Sequence, residues 1–180
     1  REAAPEPAPC RFVASIRREP GDAALGMRLE ANEASRIFIA GVDCAGTAVG
    51  RYNEAAPAVH RIRAGDYIVG IMGSEARHLP SVTRIMESAA FELTIQRPRV
   101  STIVMEARGS ALGISLQFHP GGTSLAVTHV DDRGSAKACG VDILPGDRIV
   151  AVNGVRGASA ELLAEVKTSQ ALELTLSRCG

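Results

Sequence analysis

The chain has 180 residues, 46% hydrophobic, 22% charged and 3% aromatic, with no Trp, and its 20 Lys plus Arg balance 20 Asp plus Glu. That composition belongs to a folded globular protein and excludes disorder throughout, while the lack of a basic excess argues against nucleic acid or an anionic leaflet as partner. The longest run free of Asp, Glu, Lys and Arg, from Gly109 to Val130, is broken by Pro120-Gly121-Gly122 and cannot span a bilayer as a helix.

Residues 1–10 form an Ala/Pro-rich tail or linker that begins with Arg1 and has no apolar signal core, which reads as part of a longer chain. From Arg11 to Arg17, Phe12, Ala14 and Ile16 alternate with Val13, Ser15 and Arg17, the period of a strand. Further strands are expected at Met27–Ala31, Arg36–Val42, Asp66–Met72 and Glu92–Arg97. Helices are expected at Thr47–Ala55, opened by a capping hydroxyl, and at Leu79–Ser88, where Val82, Ile85, Met86 and Ala89 share a face and Pro80 suits the first turn. Beyond Arg97 come strands near Thr102–Ala107, Ile114–Phe118, Leu125–Val130, Asp147–Val152 and Ala171–Ser177. The helices there are Ser135–Cys139, closed by Gly140, and Ser159–Lys167.

The second half repeats the first. Ala24-Leu25-Gly26-Met27-Arg28-Leu29 returns as Ala111-Leu112-Gly113-Ile114-Ser115-Leu116, shifted by 87, and Gly46-Thr47-Ala48 returns as Gly134-Ser135-Ala136, shifted by 88. Ala64-Gly65-Asp66-Tyr67-Ile68-Val69 matches Pro145-Gly146-Asp147-Arg148-Ile149-Val150, and Leu93-Thr94-Ile95-Gln96-Arg97 matches Leu174-Thr175-Leu176-Ser177-Arg178, both shifted by 81. The first copy therefore carries about seven extra residues between Gly46 and Gly65, expected as a surface excursion at Asn53–Pro57. Two copies at so long a period are a tandem of domains, 11–98 and 99–180, each mainly β with short helices.

Leu-Gly-apolar after a short loop, then Gly-Asp-x-Ile-Val, then a helix and a closing strand, resembles the PDZ domain, and the pattern occurs twice. The second copy, with Leu144-Pro145-Gly146-Asp147-Arg148-Ile149-Val150-Ala151-Val152-Asn153-Gly154, is the closer match; the first has Met72-Gly73 where the family usually shows Asn-Gly. The resemblance implies two partly open β-barrel or sandwich domains, each capped by two helices. It also implies binding of the C-terminal peptides of partner proteins by strand addition. Its implied contact residues are Leu25, Gly26, Met27 and Leu29 with His78, Val82 and Ile85 in the first copy. In the second they are Leu112, Gly113, Ile114 and Leu116 with Ser159, Leu163 and Val166. Glycine lets successive amides converge on a carboxylate without a buried cation, and burying the last side chain of the ligand is worth roughly 1.5 to 3 kcal/mol. A His at position 78 resembles the PDZ subset that prefers Ser or Thr at the third-last ligand position, above an apolar last residue; a solvated histidine is the competing reading. Ser159 leaves the second copy open between a small or apolar preference and a plain helix cap.

No G-x-S-x-G, H-E-x-x-H, Walker loop or G-x-G-x-x-G is present, so an enzyme is not expected, and neither a cofactor nor a metal is implied. Cys10, Cys44, Cys139 and Cys179 stand apart in no CxxC pair and are expected as free thiols. The expected role is a scaffold or adaptor fragment in the cytoplasm, reaching membranes only through partners. The alternative is the regulatory portion of a larger enzyme such as a PDZ-bearing serine protease. Only Arg97-Pro98-Arg99-Val100 joins the copies, so restricted independent tumbling is expected.

Overall fold

The computed structural model describes residues 10–22, 24–32, 35–76, 82, 83, 85, 87–106 and 112–180. The chain divides into two compact units, one made of residues up to Arg97 except Asn32–Ser35 and the other holding Pro98–Gly180.

The first unit is built on strands β1 (Arg11–Arg17), β2 (Met27–Asn32), β3 (Ser35–Val42), β4 (Tyr67–Ile71), β5 (Ser74–Glu75) and β6 (Ala90–Gln96). They form one antiparallel sheet in the order β1-β6-β4-β3-β2, with β5 paired to β4. The alternation read in β1 is the alternation of burial: Phe12, Ala14 and Ile16 face the core and their neighbours face outward. All of β1 pairs with β6, from Arg11 opposite Gln96 to Arg17 opposite Ala90. Helix α1 (Ala48–Ala55) begins at Thr47, whose hydroxyl donates to the Asp43 carbonyl at 2.6 Å and accepts from the Gly50 amide at 3.0 Å. Val82, Thr83, Ile85 and Glu87 are helical. Ile37, Ile39, Val49, Ile62, Ile68, Ile85, Leu93 and Ile95 make the centre of the core.

The second unit has strands β7 (Pro98–Glu106), β8 (Ile114–Gln117), β9 (Leu125–Val130), β10 (Arg148–Val152) and β11 (Ala171–Cys179), with helices α2 (Ser135–Ala138) and α3 (Ser159–Thr168). Its sheet runs β7-β11-β10-β9-β8, the same permutation as in the first unit, and neither sheet closes into a barrel. Leu125, Val127, Ile149, Leu162, Leu172, Leu174 and Leu176 fill its core.

The excursion expected at Asn53–Pro57 is corrected. Asn53 lies inside α1 and is buried, its amide group clasping Ile62 from both sides: Nδ2 donates to the Ile62 carbonyl at 2.9 Å and Oδ1 accepts the Ile62 amide at 2.8 Å. The backbone also moves the alignment. Val49 N donates to Leu25 O as Ala136 N donates to Leu112 O, while Asp43 N donates to Gly26 O as Asp131 N donates to Gly113 O. Thr47 therefore stands opposite Gly134 as N-cap, not opposite Ser135. Of the extra residues, one falls between Asp43 and Val49; the rest lengthen α1 and add the 3₁₀ turn Ala58–His60.

Candidate functional site

In both units the Leu-Gly step precedes the strand at the sheet's open edge, β2 or β8. Gly26 has φ +89 and Gly113 φ +70, a backbone that favours glycine. Space demands glycine too. A Cβ on Gly26 would fall 2.7 Å from the Asp43 carbonyl, and one on Gly113 would fall 2.5 Å from the Gly134 Cα.

These bends determine where the amides point. The Leu25 carbonyl receives the Val49 amide at 3.1 Å and the Gly26 carbonyl the Asp43 amide at 2.9 Å; Leu112 and Gly113 receive Ala136 and Asp131 at 3.1 and 2.7 Å. The peptide planes are trans, so each N–H lies opposite the carbonyl of its own plane. The amides of Gly26, Met27, Gly113 and Ile114 therefore face away from the helix start and the loop that hold the carbonyls. Among the described residues, Leu25, Gly26, Leu112 and Gly113 give their amides to no backbone carbonyl. In β8 the Asp131–Gly113 bond brackets the Ile114–Val130 pair, which makes that pair the non-hydrogen-bonded kind. Both backbone polar groups of Ile114 then project from the open edge.

Apolar side chains lie beside each edge. Met27, Leu29 and Val82 are half-buried against the first core, and Leu112, Ile114, Leu116 and Leu163 against the second. Leu25 is 4% exposed and contributes through its backbone.

Three residues expected as contacts are buried in the structure. Ile85 is fully buried in the core and Val166 is 8% exposed, so they support the helix from beneath and leave the outer positions to Val82 and Leu163. Ser159 is 2% exposed; its Oγ donates to the His119 carbonyl at 3.0 Å and its amide to the Gly122 carbonyl at 2.8 Å. It pins α3 to the turn before β9 and offers no hydroxyl to a ligand. It is not the helix cap either, for the N-cap is Ala158. His78 lies outside the described residues.

The loop before Gly26 is anchored electrostatically. Arg51 on α1 grips both oxygens of Asp22, donating from Nη2 to Oδ2 at 2.8 Å, and also donates to the Arg17 carbonyl at 3.2 Å. The guanidinium holds the Asp22 carboxyl down at about 2, assisted by the Glu19 amide.

A duplicated ion pair was not recognised from the sequence. Asp66, 2% exposed, is held by Arg97, which also lies 4.9 Å over the Phe12 ring; Asp147, 1% exposed, is held by Arg178 at 2.7 and 2.8 Å. Each Asp also accepts an amide three residues before it, Arg63 or Leu144. Burial pushes the Asp66 carboxyl upward, against the pull of Arg97. The signal was present, because Asp66/Asp147 and Arg97/Arg178 repeat at one shift.

The four cysteines are free, and no group of three or more His, Cys, Asp or Glu among the described residues is placed to hold a metal. No helix among the described residues is long and apolar enough to cross a membrane.

No curated protein matches the chain. Among solved structures, it is similar to the complex of INAD PDZ45 with NORPA CC-PBM at 16% identity and a TM-score of 0.41, covering 94% of this chain and 90% of that one. It is similar to INAD PDZ45 with an NG2 peptide at 16% identity and 0.38, covering 94% and 88%. The PDZ domain of a choanoflagellate GIPC aligns at 20% identity and 0.39, covering 49% of this chain and 91% of that one. The family model described as PDZ domain matches residues 101–177, which lie within the second unit and include its glycine bend and open edge strand.

Proposed function

We propose that this chain is a non-catalytic interaction module in which each unit captures the C-terminal tail of a partner protein, serving as a scaffold or adaptor fragment. The observation that carries the reading is the orientation of the peptide planes at Leu25–Met27 and Leu112–Ile114: carbonyls engaged inward, amides turned outward at the head of an open strand edge. A carboxylate at that point gains several charge-assisted hydrogen bonds, and the chain leading to it adds to β2 or β8 as an antiparallel strand. With the terminal side chain buried among the half-exposed apolar residues, a micromolar dissociation constant, about 8 kcal/mol, is expected.

The first unit is, in this reading, a divergent second copy of the same domain. Its identical strand order and its duplicated Leu-Gly and Asp–Arg arrangements support that. Its ligands carry an apolar last residue and Ser or Thr at the third-last position, read by His78. The working compartment is the cytoplasm, and neither nucleic acid nor lipid is a direct ligand.

Binding of a C-terminal peptide library to the chain, with amidated peptides as controls, tests this. Free-acid peptides should bind and amidated ones should not, and His78→Ala should flatten the Ser/Thr preference. Equal binding of acid and amide overturns carboxylate capture; an unchanged profile in the His78 variant removes the assignment of that residue.

A further inference from the structure

The outer face of β2 carries a cation that has no partner among the described residues. Arg28 follows Met27 in β2 and is exposed, while Gly41 on β3 is buried. A Cβ on Gly41 would fall 2.5 Å from the Arg28 Nη2 and 2.7 Å from its Nε. The guanidinium therefore lies flat on the sheet, in the space a side chain at position 41 would fill. Among the described residues Arg28 makes no ion pair or hydrogen bond, in contrast to Arg36, Arg51 and Arg97 of the same unit, which all pair with carboxylates. With no carboxylate of its own unit to release, the guanidinium is available to an arriving anion.

The geometry points to a specificity-determining role: we infer that Arg28 selects tails with Asp or Glu at the penultimate position. The inference rests on the strand-addition reading above. With the terminal residue opposite Met27, its side chain shares the inward face with that of Met27. The penultimate residue then stands opposite Arg28 with its side chain on the outer face, where the guanidinium waits. The second unit lacks this device. Ser115 occupies the corresponding position after Ile114 and pairs directly with His129 on the neighbouring strand, so no glycine shelf exists there.

The test uses the whole chain and short free-acid peptides identical but for Glu, Ala or Lys at the penultimate position. NMR shifts of the Met27 and Leu29 amides report the first unit, and those of Ile114 and Leu116 the second. The Glu peptide should bind the first unit about fivefold more tightly than the Lys peptide, the range of an exposed ion pair, with the gap narrowing as salt rises. Arg28→Ser should flatten the ranking and Arg28→Glu should invert it, while the second unit keeps its own ranking in both variants. Equal affinity for Glu and Lys peptides in the unmodified first unit, or a ranking that survives Arg28→Glu, overturns the role of Arg28 while carboxylate capture stands. Amidated peptides that shift the same amides equally, or free-acid peptides that shift none of them, overturn capture by the first unit and this inference with it.

Discussion

At the residue scale, Met72 shows how a single side chain separates the two units. Met72 and Gly73 have φ of 51 and 74, Asn153 and Gly154 of 49 and 80, so both pairs turn through positive φ directly after a strand. Asn153 suits the turn twice over: it tolerates the left-handed backbone, and its Oδ1 accepts the Glu173 amide at 2.8 Å. In the first unit the corresponding Glu92 amide meets only the Met72 sulfur, at 3.3 Å. Met72→Asn is therefore expected to stabilise the first unit by about 1 kcal/mol, seen as a higher denaturation midpoint with unchanged slope. Asp22 makes a pH prediction. Its folded pKa, about 2, lies below the ordinary 3.8, so the stabilisation from its pairing with Arg51 is complete above the unfolded value. It is lost as pH falls from about 4 through 2. Arg51→Ala should return Asp22 toward its ordinary value in an NMR titration, and an unshifted Asp22 would refute the pairing.

At the scale of elements, the added length of α1 earns its place through Asn53. Replacing Asn53 by Ala leaves the amide and carbonyl of Ile62, a residue 2% exposed, without their clasp. A loss of about 2 to 3 kcal/mol is expected in chemical denaturation, confined to the first unit. The strands were legible because alternation is a local property: β1 could be read from seven residues, and its burial follows that reading. Elements too short for a period were not legible, as the pair Ser74–Glu75 and the turn Ala58–His60 show. The Leu-Gly bends could be anticipated because glycine at that place has a backbone reason. Ser159 could not be placed, since its position follows from a carbonyl forty residues earlier in the chain, that of His119. The arginines that hold Asp66 and Asp147 leave no pattern inside a local window either; only the repeat of both partners at one shift marks them.

At the scale of the molecule, each sheet takes its strands from one side of the Arg97–Pro98 boundary, and each core cluster is likewise confined to one unit. Both units exceed the length of roughly 40 residues below which a core needs staples. Residues 10–97 and 98–180, produced separately, should each give a β-type circular dichroism spectrum and a cooperative melt. A piece that stays unfolded would show that it borrows stability from the other.

The seats beneath the two bends are closed by chemistries that do not interchange. Where the first unit sets the Thr47 hydroxyl, the second sets Gly134, and a Cβ there would fall 2.6 Å from the Leu112 carbonyl oxygen. Sibling repeats in one polypeptide risk exchanging segments while they fold. A hybrid with the helix start of the first copy docked on the bend of the second would meet that collision at once. Divergence at one small position thus penalises that mispairing through nothing more than a side chain's first carbon.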